Sequence, residues 1–373
     1  MKSFAFILFL TIAAMGCKKP YNPPALKGNG GYLVVEGVVN AGPDSTTIKL
    51  SRTVNVSSAV TANPVSQAVV AVESDQNISY PLTETTGGNY VSPGLNLDVS
   101  RTYRLKVKTS NNEQYASDFE PVSVTPPIDS IGFNVITVPD TGIQIYVNTH
   151  DQTNTVHYFR WDYSEAWEFY TKYTTPYISN GFNAIVLRQP NQFDTYCFTN
   201  DVSSDIVLGS SAKLQKDVIY QSPVTFIPST SEKIEDEYSI LLKEYALTAD
   251  AYNFWISLKQ NTEQLGSIFD AQPSQITGNI HCTTNPSEPV IGYISVSTVS
   301  SKRVFIYSSQ LPSWVPAYPY YCEIDSTGRQ GPAFLYPLPN AFLPMSANGV
   351  TYTSDVCADC TVRGTKTPPP FWK

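Results

Sequence analysis

The sequence predicts a mainly β fold in two parts, an N-terminal β-sandwich followed by a larger β-rich domain with one main helix. Three observations predict it. The 373-residue chain is rich in aromatic side chains, with 24 Tyr and 17 Phe but only 3 Met, and flat side chains suit a pleated, half-buried surface. Alternating apolar runs recur about every ten residues between turn signals. Only one long stretch has helical spacing.

The first 31 residues predict a lipoprotein signal peptide and a tether. Residues 1–16 hold Lys2 and an apolar run from 4 to 15, which is too short to span a membrane core of ~30 Å and is typical of secretory signals. The run ends in AMGC, which resembles a bacterial lipobox, so we expect Cys17 to carry the lipid. An ordinary signal peptide with an incidental cysteine is the alternative. Residues 17–31 are rich in Pro and Gly and predict the lipidated tether.

Residues 32–122 predict the sandwich domain. Strands are expected at 32–40, 46–53, 65–73 and 102–109, with a further strand after the turn at 87–90. The last of these alternates cleanly between apolar and basic residues. The succession of strands and glycine turns resembles an immunoglobulin-like or transthyretin-like sandwich.

Residues 123–373 predict the second domain. Prolines within 118–131 mark the boundary. Strands are expected at 142–148, 156–163, 166–173, 184–187, 238–245, 291–297 and 303–307, with 300–302 in a turn. The helix is expected over 248–265, because Thr248 suits the N-cap and Asp250 suits the positive end of the helix dipole. The tail from Leu311 predicts loops.

The motifs and candidate catalytic residues of the sequence favour a protein that is not an enzyme. No motif for a cofactor, a P-loop or a nucleophile elbow occurs, so we expect no cofactor. The net charge of -8 argues against a nucleic-acid partner. Asp162, Glu165 and Glu168 could supply a carboxylate pair for glycoside hydrolysis, but their aromatic neighbours favour ordinary polar positions on a strand.

The cysteines predict disulfides rather than a metal site. Beyond Cys17, five thiols remain, and only Cys357 and Cys360 have a C-x-x-C spacing without a second such pair. Disulfides persist in the compartments that exported proteins reach. We expect Cys322 to pair with Cys357 or Cys360, and the remaining connectivity is open.

The segment 314–322 is a candidate ligand or partner surface. Trp314, Tyr318 and Tyr320 could stack on a sugar or a peptide, and aromatic side chains are enriched at interfaces. The alternative is an extended segment that covers a sheet.

Several blocks of the chain together resemble a known family. They are LSRT at 50–53, the helix region 254–280, the block 288–306 and the tail 357–372. These blocks resemble the domain of unknown function (DUF) 4249 lipoproteins of the Bacteroidota. The resemblance implies a lipoprotein of the cell envelope that is encoded beside a TonB-dependent outer-membrane transporter, without an established enzymatic role. Lys18 and Lys19 depart from the acidic export signal of many surface lipoproteins in that group.

We therefore expect a non-enzymatic outer-membrane lipoprotein, more readily surface-facing than periplasmic. It would bind substrate for a TonB-dependent transporter or cap it. The alternative is a surface lipoprotein that binds glycans or peptides without a transporter.

Overall fold

The structure is a computed structural model that describes residues 31–54, 63–179, 185–263, 276, 278–318, 322–326, 342–347 and 351–372. The first strands are β1 (Leu33–Asn40), β2 (Thr46–Arg52), β3 (Val69–Ser74), β4 (Ser79–Glu84), β5 (Asn89–Ser92), β6 (Thr102–Lys108), β7 (Gln114–Ser117) and β8 (Glu120–Ser123). The next are β9 (Ile128–Ile136), β10 (Gly142–His150), β11 (Tyr158–Tyr170), β12 (Tyr177–Ser179), β13 (Ile185–Leu187), β14 (Tyr196–Val202), β15 (Val207–Ser210), β16 (Val218–Pro228) and β17 (Glu237–Ala246).

The helix α1 (Ala249–Thr262) follows β17, and the remaining strands are short apart from one. They are β18 (Ile280–Cys282), β19 (Val290–Ile291), β20 (Ser295–Ser297), β21 (Val299–Tyr307), β22 (Asp325–Ser326), β23 (Phe342–Pro344) and β24 (Thr351–Ser354). Short 3-10 helices lie at Pro190–Gln192, Glu232–Ile234, Ser308–Gln310, Asp355–Cys357 and Cys360–Val362. This composition confirms the prediction of a mainly β protein with one main helix.

The first sheet closes on itself. Its strand order is β6-β3-β4-β5-β2-β1-β20-β8, and β8 also pairs with β6, so the eight strands form a ring. The ring encloses the first core, whose members include Leu33, Ile48, Leu50, Val72 and Leu105. This ring differs from the predicted sandwich, in which two separate sheets would face each other. Here β4 and β8 each form hydrogen bonds to strands on both sides, so the sheet has no break at either strand.

The first body is completed by a late part of the chain. β20 inserts in parallel between β1 and β8, β19 pairs in parallel with β1, and β18 pairs with β7. Gly292 permits this approach: its φ is +137°, and a Cβ there would lie 2.1 Å from the carbonyl oxygen of Val35. The predicted division into residues 32–122 and 123–373 therefore does not follow the sheets, since residues 280–297 belong to the first one.

The second body has two layers. A three-stranded sheet has the order β16-β10-β9, and a five-stranded sheet has the order β14-β11-β17-β21 with β15 on β11. Apolar side chains from both layers, such as Ile145 and Trp161, share the second core. The predicted strands 156–163 and 166–173 form one strand, β11, which pairs with β17 without a break from Phe159 to Trp167. Residues 300–302, expected in a turn, lie within β21.

The helix begins where the sequence predicts it. Thr248 is the N-cap and its hydroxyl accepts a hydrogen bond from Ala251 N at 3.2 Å. The predicted end of the helix at residue 265 lies outside the described residues. Ala251 and Phe254 are the buried members, and the helix packs through them against Leu247 and Tyr293.

Two disulfides hold the tail. Cys322 is joined to Cys357, and Cys360 is joined to Cys197 on β14. Beyond them, the ring of Trp372 packs on Phe198 with a centroid distance of 5.2 Å. The tail is thus fastened to the five-stranded sheet.

Candidate functional site

A cavity of about 560 Å³ lies beside α1, where the helix meets the first body. Its volume falls in the range of small-molecule sites. The lining combines carboxylates, amides and aromatic rings, and includes Phe119, Glu120, Asp250, Phe254, Asn279 and Tyr293.

Glu120, at the start of β8, is a buried carboxyl in the lining of this cavity. It is 8% exposed, and its Oε1 accepts hydrogen bonds from Tyr293 Oη at 2.8 Å and from Asn279 Nδ2 at 2.9 Å. Asn279 is itself fixed, because its Oδ1 accepts from Ile294 N at 2.9 Å. These contacts join β8 to the late segment that completes the ring, and they hold the carboxyl in one orientation.

The electrostatics of the cavity favour the neutral form of this carboxyl. Burial raises the pKa of Glu120 above its ordinary value, and the nearby carboxylates of Asp250 and Asp118 raise it further, against the hydrogen bonds from Tyr293 and Asn279. A cavity with this lining can accept hydrogen bonds from a polar ligand and can stack an apolar face on Phe254 or Tyr293.

The aromatic segment predicted as a partner surface lies along the second body. Trp314 is partly buried and packs against the second core. Ala317 N donates to Thr230 O at 2.7 Å, and burial raises the pKa of the Tyr318 phenol. Tyr320 lies outside the described residues. Part of the surface of Trp314 is therefore used within the protein, as the sheet-covering alternative requires.

The three candidate carboxylates of β11 are not brought together. Asp162 and Glu168 share one face but lie six residues apart, about 20 Å along a strand, and Glu165 points to the other face. Glu165 is 5% exposed and accepts hydrogen bonds from Tyr238 Oη and Lys233 Nζ. The close carboxyl pair that glycoside hydrolysis uses is not formed by these residues.

A further buried carboxyl lies in the second core. Glu244 on β17 has no exposed surface, and it accepts hydrogen bonds from Trp161 Nε1 at 2.7 Å and from Thr149 Oγ1 at 2.9 Å. Burial raises its pKa to about 7, and the carboxylates of Asp129 and Asp217 act in the same direction. It lies outside the cavity beside α1, so its effect is on stability.

A family model described as "Domain of unknown function (DUF4249)" matches residues 18–303. The chain belongs to this family. The match covers most of the chain, includes the segment that completes the ring, and ends within β21, before the disulfide-bonded tail. A search of the curated proteins finds no match.

In the described part of the chain, no helix has both the length and the apolar character needed to cross a membrane. Nor do the described residues bring together three or more His, Cys, Asp or Glu side chains placed for a metal ion. The lipid-attachment candidate Cys17 lies outside the described residues.

The cavity residues were not found by sequence reasoning. Glu120 lies in the proline-rich segment predicted as a boundary, and Asn279 lies far away in the chain. Nothing in their local pattern shows that they meet, because the pairing of β20 with β8 is non-local. The sequence did indicate that Glu244 is buried, because it lies on the same face of its strand as the buried Ile240 and Leu242.

Proposed function

We propose that this DUF4249 protein is a non-enzymatic lipoprotein of the outer membrane that binds a small ligand as the accessory partner of a TonB-dependent transporter. The observation that carries the proposal is Cys17 at the end of a secretory apolar run, ahead of a family-matched body with two disulfides. Disulfides suit an exported protein, and a lipid holds the body near partners in the same membrane. We also propose that the first body is a transthyretin-like sandwich whose strands close into a ring.

The lipid anchor is tested by metabolic labelling with a palmitate analogue. The wild-type chain is expected to carry the label and to fractionate with membranes, and Cys17→Ser is expected to lose both. Cys282→Ser is the matched control, because Cys282 is a buried free thiol within the first body. Label retained in the Cys17 variant would remove the anchor from the proposal.

The transporter partnership is tested by mild detergent extraction of tagged protein from its native host. We expect a TonB-dependent transporter to co-purify in a constant ratio with the wild-type chain. Recovery of the tagged protein alone, in cells that make the transporter, would argue for the stand-alone glycan- or peptide-binding alternative. Protease treatment of intact cells decides whether the body faces outward.

The cavity beside α1 is the candidate site for the ligand. Glu120→Gln keeps the size and an acceptor for Tyr293 but removes the ionisable group. In a thermal-shift screen of small polar molecules, a ligand of this cavity is expected to stabilise the wild type and to lose affinity with Glu120→Gln. Glu36→Gln, at an exposed position on β1, is the control. If ligands stabilise both variants equally, the cavity is not the site.

A further inference from the structure

The cavity beside α1 has an acidic lining. Glu120, Asp118 and Asp250 contribute carboxylates to it, and the described lining includes no lysine, arginine or histidine. Asp250 lies in the first turn of α1, where the helix dipole stabilises a negative charge, and the described residues give it no ion pair. The described lining therefore carries negative charge that it does not itself neutralise.

Two cations lie near the lining, and each already has a partner. The guanidinium of Arg104 lies 4.5 Å from the ring centroid of Phe119 and is paired with Glu73. The ring of His281 lies 3.4 Å from Asp118, in a pair that is open to solvent and therefore weak. Among the described residues, Asp118 is thus the only lining carboxylate with a cation at ion-pair distance.

Glu120 gives a second, independent indication of a ligand. Its side chain is 8% exposed, and its Oε1 is fixed by Tyr293 and Asn279. The other oxygen, Oε2, makes no hydrogen bond to the described residues, and it is not among the described atoms that are both unpartnered and sealed from solvent. Oε2 is therefore the acceptor that this buried carboxyl offers to the cavity. A buried acceptor without a donor is unfavourable, and a ligand can supply the donor.

We propose that the cavity beside α1 binds a primary amine as its ammonium ion, with Glu120 Oε2 as the main acceptor. An ammonium group has three N–H donors and a positive charge, so it can bond to Oε2 and interact with the Asp250 carboxylate. Phe254 and Tyr293 belong to the same lining, and their rings offer a surface to a cation or to the body of the amine. A bound cation counteracts the burial and the carboxylates that raise the pKa of Glu120, so this carboxyl is ionised in the complex.

Other ligand classes fit this lining less well. The described residues do not bring three His, Cys, Asp or Glu side chains together around one metal ion, so the carboxylates are spread about a space of about 560 Å³. That spacing suits a molecule of several atoms better than a single ion. An anion would be repelled by the lining, and a neutral molecule would leave its charge uncompensated.

The ligand class rests on the proposed function, in which this cavity is the ligand site. A neutral molecule whose binding depends on Glu120 would remove the amine and leave the site in place. The lipid anchor and the transporter partnership have their own tests and do not depend on either result.

The test titrates two amines and their neutral counterparts into the full mature chain by calorimetry at neutral pH. Glucosamine is compared with glucose, and 2-phenylethylamine with 2-phenylethanol, so that each pair differs in the ammonium group alone. We expect each amine to bind at least about tenfold more tightly than its counterpart. Glu120→Gln is expected to weaken both amines by about tenfold or more, and Asp250→Asn by about threefold, with little change for the neutral molecules.

Glu36→Gln is the matched control, because it removes an exposed carboxylate that does not line the cavity, and it is expected to bind as the wild type does. Far-UV circular dichroism establishes that each variant keeps its fold, and Asp250→Asn, at an exposed position, carries the conclusion if Glu120→Gln fails to fold. Calcium chloride is titrated as the metal-ion alternative. Failure of both amines to bind, equal binding of the neutral counterparts, unchanged amine affinity in the cavity variants, or Glu120-dependent binding of calcium alone would each overturn the proposal.

Discussion

Glu244 makes the stability of the second body depend on pH, and Glu244→Gln removes that dependence. The folded pKa is about 7 and the ordinary value is 4.5. Below pH 4.5 the carboxyl is protonated in both states. Between these values the unfolded chain ionises and the folded one does not, so stability falls as pH rises. At about 1.4 kcal/mol per pKa unit, the loss is about 3 kcal/mol and is complete above pH 7.

The substitution keeps the local hydrogen bonds. A glutamine oxygen can accept from Trp161, and its amide can donate to the hydroxyl of Thr149. We therefore expect Glu244→Gln and the wild type to be similar near pH 4.5, and the variant to be more stable by about 3 kcal/mol at pH 8.

Urea unfolding followed by tryptophan fluorescence measures this difference. All 5 tryptophans lie beyond residue 160, so the signal reports on the second body and its attached helix and tail. Glu36→Gln, at an exposed position, controls for the loss of one carboxylate and is expected to follow the wild type. Parallel pH profiles for Glu244→Gln and the wild type would refute the assignment of a neutral buried carboxyl.

Three further outcomes follow from the fold. Replacing Cys197 and Cys360 together by Ser is expected to lower the unfolding free energy by up to about 5 kcal/mol, because the crosslink spans 163 residues; urea titration measures it. Gly292→Ala is expected to lower the melting temperature, since its Cβ meets β1; a melting temperature within about 1 °C of the wild type would contradict the close approach. Trp372→Ala is expected to speed proteolysis of the tail, because the docking on Phe198 is lost; unchanged cleavage would contradict it.

Local signals predicted local structure well. The helix start followed from the N-cap chemistry of Thr248, and the alternation in 102–109 predicted β6 to within one residue. These features depend on neighbours in sequence, where side-chain spacing and capping carry the information.

Those local signals could not predict which distant strands pair with one another. The short apolar stretch 291–297 predicted one strand, but the structure has β19 and β20, both in the first sheet. Its hydrophobicity shows that it is buried but does not show which strand it joins. The cavity beside α1 could not be predicted for the same reason, because Glu120 and Asn279 meet only when the ring closes.

The return of β20 to the first body sets an order for biosynthesis. β1 and β8 are made early, but the strand between them emerges only after all of β9 to β17. At a synthesis rate of roughly 5–20 residues per second, the gap between β1 and β8 stays unfilled for on the order of 10 s. During that time two strand edges can pair with other chains, so any product truncated before Ser295 is expected to aggregate rather than accumulate as a free first body.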